Sequence, residues 1–153
     1  MNKEELLDTW AINDRINGYL LASIEEGALN DQLASKGRNV AKQFAHIHNV
    51  RLMWLKVAAP DLLGSVTKID DGPVDKALLA TSLAASGEAI AELLSRSAET
   101  GKVKGFKPHI TGFLGYMLVH DAHHRSQIIL ALKQSGHPVD KKVAYGIWEW
   151  GRR

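Results

Sequence analysis

The chain has 153 residues, 45% hydrophobic and 24% charged, with a formal charge of +2 and no cysteine. That length suits one domain (residues 1–153) with a substantial core. The near-neutral balance offers no broad basic field for nucleic acid or a membrane surface, and the lack of cysteine excludes disulfides, thiolate metal sites and a cysteine nucleophile.

The opening MNKEELLDTWAIND is acidic and polar, unlike a signal sequence, and no later window approaches the ~18 uninterrupted apolar residues of a membrane span. The expected location is the cytoplasm. From Lys3 to about Glu26, Leu6, Leu7, Trp10, Ile12, Ile16, Tyr19, Leu20 and Ile24 recur at helical spacing, and Gly27 supplies a stop. A second helical pattern runs from Val40 to Ala58 and ends against Ala59-Pro60, because the residue before proline is disfavoured in the helical region.

PDLLGSVTKIDDGP, with its prolines, glycines and aspartates, reads as a long loop. The Ala- and Leu-rich stretch from Val74 to Thr100 is the third helix, ending at Gly101. After the breaker-rich GKVKGFKPH, the fourth runs from about Thr111 to Gln134 and closes at Ser135-Gly136. Four amphipathic helices predict an all-α four-helix bundle. The tail KKVAYGIWEWGRR reads as a short terminal extension, with Trp148 and Trp150 covering one end of the bundle.

Three of the seven histidines fall within YMLVHDAHHRSQIILAL. At about 100 degrees per residue, His124 lies near +40 degrees from His120, among Phe113, Met117, Gln127 and Ala131, and His123 falls at the margin of that stripe. Two imidazoles four positions apart on one face can converge on one ion. A catalytic site normally needs a third protein ligand and leaves a position open. Helix two offers it in QFAHIHNVRLMW, whose broad apolar face centres nearer His46 than His48; His46 is the preferred ligand and His48 the alternative.

Other features read as structure. RLMWLK and HHRSQ are most economically solvated faces, although Arg51 and Arg125 could reach an anionic substrate at a pocket mouth. Asp121 falls about 100 degrees off the histidine stripe, which leaves His123 as the better candidate for a proton relay or orienting partner. His109 and His137, at the entrance and exit of helix four, are expected in solvent. The four tryptophans read as core or end-cap residues. No phosphate loop, dinucleotide fingerprint or G-x-S-x-G elbow occurs.

FAHIHNVRLMWL and HDAHHRSQIILAL together resemble the DinB/YfiT-like superfamily of metalloenzymes, in order and over essentially the whole chain; Ser126 stands where that family's last motif commonly has glycine. The resemblance implies a bundle in which His46, His120 and His124 bind a divalent metal, Zn²⁺ or Ni²⁺ foremost, with positions left open. It further implies a transferase or hydrolase acting on a small molecule, a low-molecular-weight thiol being the favoured co-substrate, and a homodimer. The rival expectation is a non-catalytic bundle, a stress-linked binding or scaffold protein whose metal is structural or absent.

Overall fold

The computed structural model describes residues 1–153 and is all-helical. Its long helices are α1 (Lys3–Ala22), α2 (Val40–Ala58), α3 (Lys76–Ser97) and α4 (Ile110–Gln134), followed by the short α5 (Lys141–Gly146). The predicted four-helix bundle with a short C-terminal extension is the observed architecture. α1 packs on α3 and α4, and α2 also packs on α3 and α4, so α1 and α2 stand diagonally across the bundle.

Each helix starts on a side chain that accepts from an otherwise unpaired backbone N–H. Asn2 and Glu5 form a reciprocal capping box on α1; Asn39, Asp75 and Asp140 cap α2, α3 and α5. His109, exposed as expected, caps α4 by accepting from Gly112 N–H on Nδ1 at 3.1 Å. α2 has the predicted bounds. α1 stops four residues short of its predicted end, because the Lys76 ammonium donates to the carbonyls of Ala22 and Ile24 and holds the chain as it turns away.

The core is split. One apolar cluster gathers Leu20, Phe44, Ile47, Leu79, Leu83 and Ile128, and another gathers Trp10, Leu55, Ile90, Leu94, Phe113 and Met117. Along every long helix a polar segment lies between the two: Asn13, Asp14 and Asn17 on α1, His48 and Arg51 on α2, Ser86 on α3, and Asp121, His124 and Arg125 on α4. A polar layer thus crosses the waist of the bundle. α1 and α3 approach closely there: Trp10 donates to Gly87 O at 2.9 Å, and a Cβ at Gly87 would collide with the Asp14 carboxylate.

Arg51 and Arg125 are not solvated. Arg51 is 0% exposed and Arg125 9%. The Arg51 Nη1 donates to Asp14 Oδ1 (2.7 Å), Leu83 O and Ser86 Oγ, and its Nη2 to Asp121 Oδ2 (3.0 Å), with the Trp10 ring 4.9 Å away. Asn13 and Asn17 each donate to Asp121 Oδ2 and accept from Arg125 Nη1. A buried charge persists only when partners of this kind surround it.

α3 is long and apolar enough to cross a membrane by length and composition, yet Leu79, Leu83, Ile90 and Leu94 pack it into the bundle as a core helix. Trp148 and Trp150 do not plug an end. The tail runs along the α1 side, where Arg15 donates to Arg153 O at 2.7 Å and the Arg153 guanidinium lies 4.0 Å over the Tyr19 ring.

Candidate metal centre

The polar layer opens at the α2–α4 seam. There His46, His120 and His124 come together, each offering one ring nitrogen, all three within 4.8 Å of one another. His46 Nε2 and His120 Nε2 are 3.4 Å apart, and the ring centroids of His124 lie 4.6 Å from both of the others. Two imidazole nitrogens bound about 2.1 Å from a tetrahedral ion stand roughly 3.3–3.4 Å from each other. The donor set fits: three neutral nitrogen ligands, no carboxylate in the group, and two helices that fix their spacing.

The outward nitrogens are held. His124 Nδ1 donates to Gln43 Oε1 at 2.7 Å, which sets the tautomer and leaves Nε2 as the lone-pair donor. His120 Nδ1 faces Asp121 Oδ1 at 3.5 Å, longer than a made hydrogen bond, and neither atom has another partner. The arrangement is a carboxylate poised behind a histidine whose Nε2 looks into the seam.

Electrostatics favour the neutral ring at His124 and at His46. Burial lowers the His124 pKa to about 4, aided by the neighbouring His120, His46 and His123 and by Arg38. His46 is lowered by burial, then by Arg38 and His120. An unprotonated imidazole is the form that binds a metal. Asp121 stays ionised: burial alone would raise its pKa, but Arg51, His120 and the two asparagines hold it well below the usual carboxylate range.

A family model for the DinB family matches residues 1–147. The chain belongs to the DinB family. No curated protein and no solved structure matches it at a significant level. DinB proteins are helical bundles that generally bind metal, and the three gathered histidines of this DinB chain could hold such an ion.

The other histidines go elsewhere. His48, 0% exposed, faces away from the seam and bonds the Thr67 carbonyl through Nε2 at 2.7 Å, strapping the long loop after α2 to that helix. Asn49 completes the strap by pairing with both backbone groups of Ile69. His137 is exposed and meets Asp31 at 2.7 Å. His123 is exposed, edge-on to His124 at 5.0 Å, with Gln127 Nε2 at 3.3 Å from its Nε2.

Two residues at the centre escaped the sequence reading. Gln43 carried a usable signal, lying three positions before His46 and therefore on the same face of α2. Asp121 carried none that spacing could show.

Proposed function

We propose that this DinB chain is a divalent-metal-dependent enzyme acting on a small molecule in the cytoplasm, with His46, His120 and His124 as the ligands of Zn²⁺ or Ni²⁺. The observation that carries this reading is the convergence of three ring nitrogens within 4.8 Å while Gln43 and Asp121 face the outer nitrogens of two of the rings. A divalent ion bound there supplies Lewis-acid chemistry, favouring the anion of a water or thiol near neutral pH.

The chain's own groups supply the rest. Burial keeps the His46 and His124 lone pairs free of protons. Gln43 holds the His124 ring in one tautomer, and Asp121 is placed to do so for His120. His123, on the solvent side of His124, is positioned to pass protons between the seam and bulk water. Three histidines without an acidic fourth member favour an open site over a closed structural one.

Among small-molecule reactions, transfer of a low-molecular-weight thiol to an electrophile is preferred over hydrolysis, on family resemblance, in a chain that works as a homodimer. The metal content of untagged protein tests the first step. Wild type is expected to hold about one ion per chain, and His120→Ala and His124→Ala to lose it while far-UV circular dichroism stays helical. A wild type that takes up no divalent ion under any loading condition ends the enzyme reading. For the reaction, apo and loaded protein are incubated with glutathione or bacillithiol and an electrophilic acceptor; equal rates reject thiol transfer.

A further inference from the structure

α4 has a second working side. Away from the histidines, between α1, α4 and the C-terminal segment, lies a cavity of about 600 Å³, well within the range of small-molecule sites. Its walls are mainly apolar, from Ile16 on α1, Leu118 and Ile129 on α4, and Ile147, Trp148 and Trp150 beyond it. Trp148 is 76% exposed and Val119, also on the wall, 70%. Large apolar side chains left in water around a concave surface gain by covering it.

The polar contribution is specific. Arg125 lines this cavity although the residue is nine-tenths buried. Only its Nη1 is engaged, by the Asn13 and Asn17 amide oxygens; Nε and Nη2 meet no protein acceptor. Arg125 forms no ion pair: the neighbouring Asp121 carboxylate spends its Oδ2 on Arg51, Asn13 and Asn17. A guanidinium in this state is a fork without its anion.

We propose that this cavity binds a small monoanion with an apolar body, a carboxylate on an aliphatic chain or ring, with its charged end on Arg125 and its body against Trp148 and Trp150. The site is separate from the metal centre and stands whether or not that centre is catalytic. It gives the chain a place to hold an acidic apolar effector or the acidic end of a substrate on the α1 side of α4.

Decanoate and its neutral analogue decanamide are the probes, titrated into the full chain by calorimetry and by tryptophan fluorescence, to which Trp148 and Trp150 contribute. Decanoate is expected to bind saturably and about tenfold or more tighter than decanamide, as a charge-assisted pair requires. Arg125→Gln should erase that preference. Ala122→Trp, placed on the exposed cavity wall outside the polar layer, should abolish binding of both probes and leaves the question answerable if Arg125→Gln does not fold.

His46→Ala should bind decanoate unchanged; loss there would mean that the acid sits on the metal centre, and the proposal would be wrong. Equal affinities for the two probes, or binding that survives Ala122→Trp, would also overturn it. So would sedimentation showing wild-type dimers that Ala122→Trp dissociates while neither probe binds, because a second copy would then be the occupant of this face.

Discussion

Two groups of polar side chains meet at the waist of this bundle, and they differ in what they leave unsatisfied. In the first, Arg51, Asp14, Asp121, Asn13 and Asn17 use one another: the Arg51 Nη atoms are bonded to four acceptors, and Asp121 Oδ2 takes three donors. In the second, His46, His120 and His124 have their outer sides tended by Gln43 and Asp121, while the inward nitrogens meet little but each other. Both groups sit in the same layer, and two imidazole nitrogens facing at 3.4 Å can share at most one proton between them. Polar groups that satisfy themselves are fold, and polar groups arranged so that they cannot are a site waiting for a ligand. Asp121 belongs to both, one oxygen to each.

The largest effect should come from breaking the self-satisfied half. Arg51→Met removes the cation that Asp121 and Asp14 share inside the core. Burial alone would lower the Arg51 pKa, yet the two carboxylates reverse this and raise it, so the three charges are strongly interdependent. Leaving Asp121 buried without its cation is expected to cost about 3–5 kcal/mol in urea unfolding. Adding Asp121→Leu to Arg51→Met should recover part of that loss, because the stranded charge then disappears. A double variant no more stable than the single one would mean that packing, not charge, sets the cost.

A smaller effect separates the two duties of Asp121. Asp121→Asn keeps the shape but weakens the acceptor behind His120, and metal affinity should fall about 10–100-fold. Asp14→Asn also deprives Arg51 of a carboxylate, but it touches no histidine. Its metal affinity should therefore stay within about twofold of wild type even where its stability drops. If both variants lose metal equally, Asp121 acts only through the rigidity of the layer and has no positioning role toward His120.

The contrast also explains what could be read in advance. The bounds of α2 were legible because Asn39 and Pro60 mark them locally, and the HxxxH pair because a single helix puts both rings on one face. The end of α1 was not, since Ile24 prolongs the apolar stripe and the turn is enforced by Lys76 from α3. Asp121 looked outward on a one-stripe reading. α4, however, packs against both α1 and α2, so its buried arc is wide enough to take in a side chain about 100 degrees from His120. Arg51 and Arg125 were misread as solvent faces for the same reason. Their partners, Asp14, Asn13 and Asn17, sit far away in sequence, and charge in a single helix does not announce a counter-charge on another.

The smallest effect expected is one buried histidine's share of a pH dependence, and it tests whether the neutral imidazoles are a strain that the fold carries. Folding lowers the pKa of His46, His48 and His124 alike, each chiefly through burial, with the bond to the Thr67 carbonyl partly offsetting it at His48. Below the ordinary histidine value of about 6.5, the unfolded chain takes up protons that the native protein refuses. Metal-free protein should therefore have its full stability above that pH and lose it as pH falls, each histidine contributing up to about 1.4 kcal/mol per pH unit within its own window. For His124 the window extends down to its native value of about 4. His48→Gln can keep the bond to Thr67 O through its amide N–H but cannot titrate, so its stability between pH 7 and 5 should fall less steeply than that of wild type. Parallel curves would show that His48 takes up its proton as readily in the fold as in the unfolded chain, so that burying it in the strap carries no cost over this range.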